Sequence, residues 1–380
     1  VSGPAAGTAH AATTTDVVCL GESMVTFLPS QPGRLADVPS FGRGIGGAES
    51  NVACALAAAG HRAAWVGRVG ADGFGDHLVE TIAGYGVDTS AVRRDPDRPT
   101  GIYFRTATDR GTGAHEVAYY RAGSAASAMS PANVPYEELF AGRILHLSGI
   151  TAALSADCLA LLRELTAPRP GRPLVSFDVN HRPRLWRDGD AGVLLELARR
   201  CDLVFVGEDE AEEAWGIVGA EAIRAALPEP SVVVVKRGSA GATVFASGPR
   251  PGPRSLNAGG ADSAAGGAEA GERAAWAAGR DTVTVVPALR VDVVAAVGAG
   301  DAFAAGFLSA TLRGLPVRDR VRHGHLMAAA VLTVPGDLTE PPARDHADRL
   351  VALDDGAWGR LRLGPGWTAA DRAHEEVRTP

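Results

Sequence analysis

Short apolar, β-branched runs recur along the chain, most of them closing in glycine: DVVCLG at 16–21, then AAWVG, RILHLSG, PLVSFDVN, DLVFVG and SVVVVKRG. Runs of this length without strict alternation are the pattern of strands buried on both faces. Helical spacings lie between most of them. Val52, Ala55, Leu56 and Ala59 fall at i, i+3, i+4 and i+7, and DCLALLREL repeats that spacing with leucines. Strand and helix in alternation predict an α/β fold, a mostly parallel central sheet between two helical layers.

Two regions break the rhythm. Residues about 24–42 and 100–121, the latter with GIYFRTATD and HEVAYYR, read as hairpin strands of a small sheet lying over a cleft as a lid. A third break, 247–280, is rich in Gly, Ala, Ser and Pro without usable periodicity, and reads as a flexible insertion between GATVFA and TVTVVP. One domain over 16–355 is expected, with a flexible N-terminal tail at 1–15 and a C-terminal tail at 356–380. No internal repeat is visible.

Composition narrows the function classes. With 46% hydrophobic and 21% charged residues among 380, the chain has globular values. A net charge of −7 argues against nucleic acid or an anionic membrane surface as partner, so any bound anion must be caught by local groups. The four cysteines, Cys19, Cys54, Cys158 and Cys201, are scattered without a C-x-x-C pair, which fits a reducing, cytoplasmic setting better than zinc or disulfides. No Lys or Arg precedes Arg34, so the start lacks the basic region of a secretion signal. No apolar run reaches the roughly 18 residues of a membrane helix.

Two glycine-rich stretches carry candidate chemistry. FGRGIGGAESN contains G-x-G-x-x-G at Gly42, Gly44 and Gly47, yet the first strand has already ended at Gly21, so the dinucleotide fingerprint is out of context. The competing reading is a loop-to-helix junction whose first turn offers Glu49, Ser50 and Asn51 to a hydroxylated ligand. VGAGDAFAAG at 297–306 places Asp301 after Gly298-Ala299-Gly300 and before a run without other charge. Asp301 is either a helix cap or a base. Read with Val293–Val297 as a buried strand or its end, the Gly-Ala-Gly amides would form an anion nest backed by the helix dipole, and a carboxylate kept beside a phosphoryl group suits proton abstraction.

GGAESNVACALAAAG followed by VGRVGADGFGD, and later VGAGDAFAAGFLSA, resemble the two signature regions of the ribokinase and phosphofructokinase-B family of carbohydrate kinases. The likeness runs from Val17 to about Leu353, the insertion excepted, and YYRAGSAAS, LHLSGITAALS and SFDVNHRPRLW are most similar to 2-keto-3-deoxygluconate kinases. The resemblance implies a ribokinase-like three-layer fold and transfer of the ATP γ-phosphate, with Mg2+, to the 6-hydroxyl of that sugar acid. Asp301 takes the place of the base, and Gly298, Ala299 and Gly300 that of the anion hole. Gly47, Ala48, Glu49 and Asn51 match substrate contacts; Tyr103, Tyr119 and Arg121 match lid residues closing on the acid. Arg182 matches a residue between substrate and nucleotide. Asn180, Lys236, Gly238, Gly241 and His325 fall in nucleotide-contacting segments, and Glu210 in the element tied to magnesium. The family also implies a homo-oligomer paired through the lid sheet. A sugar carboxylate independently calls for planar donors such as Arg105, Arg121 or Arg182.

Three positions depart from the family pattern. Ala295 and Ala296 stand where an Asp and a Thr or Pro are usual, which removes oxygen ligands of a monovalent-cation site. Gly207 replaces the Asn of Asn-x-x-Glu, and His325 replaces an Asn near the adenine pocket, where it could equally be a helix-surface histidine. Rival readings are a fructokinase-like or other sugar kinase, a catalytically weakened sugar-binding protein and, furthest off, an NAD-linked enzyme.

Overall fold

The apolar runs condense into strands that, in chain order, are β1 Val17–Leu20, β2 Met24–Pro29, β3 Phe41–Gly46, β4 Ala63–Val66, β5 Arg68–Gly70, β6 Arg93–Asp95, β7 Ile102–Arg105, β8 Val117–Tyr120, β9 Ile144–Ser148, β10 Leu174–Asp178, β11 Leu203–Gly207, β12 Val232–Lys236, β13 Ala242–Ala246, β14 Thr282–Val286, β15 Arg290–Val291 and β16 Arg362–Leu363. The computed structural model describes residues 15–106, 116–186, 189–247 and 281–369. Eight strands form the central sheet in the order β14-β13-β12-β11-β10-β9-β1-β4. The pairs from β4 to β12 are parallel, and β13 and β14 add an antiparallel edge.

Alternate residues of each central strand enter different cores, as the two-residue period of a strand demands. Val17, Cys19, Phe205 and Val234 pack on one side with helices Ala48–Ala58, Ala299–Leu312 and Val317–Leu332. Val18, Leu20, Val204 and Val235 pack on the other with helices Ala156–Thr166 and Gly192–Arg199. This is the ribokinase-like three-layer arrangement. In such sheets ligands gather at the carboxyl ends of the strands, where Glu22, Asp178, Gly207 and Lys236 lie.

The two interrupting regions supply a second sheet, of order β3-β2-β7-β8. Thr26, Tyr103 and Tyr119 are cross-strand partners and share one of its faces; Phe27 and Phe104 pair on the other, with rings stacked at 4.6 Å. Gly42 and Gly44 sit inside β3 rather than in a loop, and Gly47 is the N-cap of helix Ala48–Ala58. Gly46 has to be glycine for a packing reason: a Cβ there would collide with the Tyr103 hydroxyl.

Two expectations are corrected. Val293–Val297 is neither strand nor buried, Val293 being 54% exposed; its backbone instead follows the end of helix Val317–Leu332, with Val294 N donating to Leu332 O at 2.8 Å. The chain from 356 is not a tail through its first part. Helix Asp355–Arg360 and β16, paired in parallel with β15, bring Trp358 and Trp367 into the core, and burying two indoles is ample reason for order. The expected N-terminal tail up to 14, the insertion over 248–280 and the end from 370 lie outside the described residues.

Candidate active site

Asp301 is not a helix cap. Helix Ala299–Leu312 is capped by Gly298, whose φ of 75° is left-handed and whose Cβ, if present, would lie 2.6 Å from Asp337 O. Both the turn and the space therefore require glycine. Asp301 falls on the first turn, and its Oδ2 accepts a hydrogen bond from Asn51 Nδ2 at 2.8 Å. Burial, with the nearby Asp178 and Asp337 carboxylates as smaller causes, pushes its pKa up to about 7, while Asn51 and Arg182 oppose the rise. A carboxylate so poised is ionised in part at neutral pH and takes a proton readily.

The first turn of helix Ala48–Ala58 divides its work. Asn51 faces Asp301, and Ser50 Oγ donates to Ser23 Oγ at 2.9 Å. Glu49, expected among the substrate contacts, is fully buried: Thr151 Oγ1 donates to it at 2.7 Å, and burial drives its pKa up to about 8. It packs directly against Gly21, so it ties the helix to the end of β1.

The second sheet and the segment after it take part in two buried ion pairs. Asp337 accepts from Tyr103 Oη at 3.0 Å and from Arg105 Nη2 at 2.8 Å, and burial raises its pKa. Glu22, directly after β1, pairs with Arg121 Nη2 and accepts from Ser124 Oγ at 2.5 Å. Arg121 also stands over the half-exposed Tyr119 ring, 5.8 Å from its centre. The Nε atoms of Arg105 and Arg121 are buried without a hydrogen-bond partner, as are Thr26 Oγ1 and Asn51 Oδ1. Buried polar atoms are ordinarily hydrogen-bonded, so these four stand out.

On the opposite side of Asp301 lies a cationic group. Lys236 Nζ is 3.0 Å from both carboxylate oxygens of Asp178 and 4.0 Å from Glu210 Oε2, and the anions hold its pKa above the usual lysine range despite burial. A Cβ on Gly300 would lie 3.8 Å from this ammonium, which places it at the start of helix Ala299–Leu312. Arg182, half-exposed, reaches to 3.7 Å from Glu210 Oε1. Asn180 before it is buried with a φ of 42°, a conformation Asn tolerates better than most residues. Gly238 and Gly241, both at positive φ, shape the turn from β12 to β13, and Gly241 abuts Val286 O.

Glu210 fits a metal poorly on its own. Its Oε2 accepts from Gly207 N at 2.7 Å as part of a helix cap, and two cations flank it. Among the described residues no group of three or more His, Cys, Asp or Glu could hold a metal ion. Mg2+ usually keeps phosphate and water ligands with only one or two carboxylates. His325 is no surface histidine: it is buried, its ring 5.2 Å from that of Phe303 and 6.5 Å from that of Trp358, and burial lowers its pKa to about 4.

The chain is similar to known proteins along most of its length. The description "pfkB family carbohydrate kinase" fits residues 14–254 and 269–344. The chain is 34% identical over 337 residues to the 2-dehydro-3-deoxygluconokinase of Bacillus subtilis (strain 168), covering 87% of this chain and 93% of that one. It is 31% identical over 343 residues to the 2-dehydro-3-deoxygluconokinase of Thermoproteus tenax, covering 88% and 94%. The crystal structure of a PfkB protein from Polaromonas sp. JS666 superposes with a TM-score of 0.69 at 31% identity, over 89% of this chain and all of that one. With the glycine-capped helix, the partnered Asp301 and a family match along most of its length, the chain belongs to the pfkB family of ATP-dependent carbohydrate kinases.

Proposed function

We propose that the enzyme phosphorylates 2-keto-3-deoxygluconate, also called 2-dehydro-3-deoxygluconate, at its 6-hydroxyl with MgATP, Asp301 acting as general base. The observation that carries the reaction is the position of Asp301: one oxygen is held by Asn51, and the carboxylate sits on the first turn behind Gly298. The sugar O–H proton passes to Asp301, the sugar oxygen forms a bond to the γ-phosphorus, and the bond to the β–γ bridging oxygen breaks to release ADP. The amides of Gly298, Ala299 and Gly300 at the helix start receive the transferring group. Lys236 and Arg182 offset phosphate charge. Mg2+ brought in with the nucleotide would neutralise further phosphate charge, and Glu210 is the residue that would help hold it.

The sugar acid is favoured by Tyr103, Tyr119, Arg105 and Arg121 on the lid, and by the names of the two relatives above. One observation favours a neutral sugar instead, as in fructokinases. Each lid arginine is already matched by a buried carboxylate, Asp337 or Glu22, so the pocket carries little net positive charge. A coupled ADP-release assay across sugars and sugar acids decides: turnover confined to 2-keto-3-deoxygluconate supports the first reading, and preference for fructose the second.

Cytoplasmic residence suits four cysteines that are all free and buried, and no helix among the described residues is long and apolar enough to cross a membrane. Pairing of two copies through the lid sheet suits its outer aromatic face, where Tyr120 is 64% exposed beside Phe104. Light scattering on the purified protein and on Tyr120→Glu tests it: a dimer that the substitution splits.

A further inference from the structure

We propose that Asp178 is a positioning residue for phosphoryl transfer, holding the Lys236 ammonium against the start of helix Ala299–Leu312, where the transferring group is received. The inference rests on the reading of Gly298–Asp301 as the phosphoryl site. Asp178 closes β10 and Lys236 closes β12, so the two are separated by β11. Cross-strand register puts Asp178 beside Phe205 and Lys236 beside Gly207, two positions apart on one strand and therefore on one face of the sheet. That face is the one covered by helix Ala299–Leu312, since Phe205 packs edge-on against Phe303 and Phe307. Gly207 brings no side chain of its own, and the lysine spans the end of β11 to reach the acid.

The pairing is bidentate, with both oxygens 3.0 Å from Nζ, and the acid side chain is only 4% exposed. With its oxygens committed and its surface covered, Asp178 meets no substrate directly; it acts through the lysine and, as a smaller effect, through its charge on Asp301. Lys236 gains what it lacks alone. A lysine side chain has four rotatable bonds and a compact charge that wanders unless fixed, and misplacement of a charge-stabilising group by about 1 Å costs up to about 100-fold in rate. The next carboxylate on Lys236, with Asp301 acting at longer range, is Glu210, farther away at 4.0 Å and already capping Gly207 N. Loss of Asp178 would hand the ammonium to that weaker partner.

The test compares Asp178→Asn, Lys236→Met and the double variant with wild type, using whichever sugar gives the highest ADP release, so that an error in the sugar leaves the test intact. Asp178→Asn is expected to lower kcat about tenfold or more while the sugar KM stays within about twofold, a split that general loosening of the fold would not give. Lys236→Met should lower kcat at least as far. At a pH well above the Asp301 pKa, where the Asp178 charge no longer alters how much of Asp301 is ionised, the double variant should match Lys236→Met within about twofold, because the positioning task ends with the ammonium. It also removes both buried charges, so it remains measurable if Asp178→Asn alone folds poorly. Wild-type kcat in Asp178→Asn, or a double variant that loses the product of the single effects, would overturn the proposal. Absence of ADP release by wild type on any sugar is a different failure, that of the kinase reading itself.

Discussion

Asn51 Nδ2 donates to Asp301 Oδ2 at 2.8 Å, linking the first turns of two helices whose partners stand 250 residues apart. The bond orients the acid without spending its second oxygen. Asp301→Asn should therefore reduce kcat by about 100-fold or more in the ADP-release assay, with sugar affinity changed by a few-fold at most, since the missing proton transfer belongs to the transition state. Near-normal turnover in the folded variant would leave Asp301 a structural role only.

The acid limb of the pH profile should carry the signature of the same pair. Asp301 acts as a base only when ionised, and with its pKa at about 7, kcat/KM should fall about tenfold for each unit of pH well below that value. Asn51 favours the ionised form by donating to it. Asn51→Leu should move the limb to higher pH, and a limb that stays in place would separate Asn51 from the titration.

Arg121→Ala should weaken 2-keto-3-deoxygluconate far more than fructose, because only the acid loses a charge-assisted pair. The substitution also strands the buried carboxylate of Glu22, so part of any loss would be one of stability. Glu22→Gln combined with Arg121→Ala removes that penalty. If melting temperature recovers in the double variant but discrimination between the two sugars does not, Arg121 reads the carboxylate; equal losses for both sugars would reduce it to a lid support.

The sequence pattern reveals what is local and hides what is paired at a distance. Parallel strands, the lid hairpins and the Gly298–Asp301 turn are written in short runs whose period or glycine spacing is visible by itself. Asp337 is not: its partners Tyr103 and Arg105 lie 234 and 232 residues away, and nothing around PGD marks it. Glu22 and Asp178 had a usable signal, since both stand at carboxyl ends of central strands, where ligands collect in such sheets. Val293–Val297 misled because five small apolar residues look alike whether a sheet has room for them or not. Glu49 is a charged residue in a ligand-like motif that packing turns inward, which its sequence context does not show.

Glu49 should make the protein less stable as pH rises. Its folded pKa of about 8 exceeds the ordinary 4.5, so the native state holds a proton that the unfolded chain gives up between those values, and stability from this group falls across that window. Glu49→Gln resembles the protonated form and lacks the titration. Melting curves of the two proteins should coincide near pH 4.5 and diverge towards pH 8, with the variant more stable by something on the order of 3 kcal/mol at pH 7. A constant offset across pH would mean that Glu49 is ionised in the fold.

Residues 248–280 should be replaceable by a short Gly-Ser turn. Their flanks, β13 and β14, already pair antiparallel with Ala246 opposite Thr282, a separation that a hairpin turn of two to five residues closes. Asp281 should be retained, because Arg224 Nε holds it at 2.6 Å. Turnover within about twofold of wild type is expected, and loss of folding or of ATP binding would make the segment functional.

The parallel pairing of β15 with β16 means that the chain enters the 292–298 segment from a strand held by its own C-terminal region. Mechanical load applied at that end is thus transmitted to the approach to Gly298, while load at the other end reaches β1, one strand in from the β4 edge of the sheet. For tethering to a surface or a force probe, the choice of terminus is a choice of what is pulled. A C-terminal trim that removes Trp358 or Trp367, both buried, cuts the anchor of the approach to Gly298.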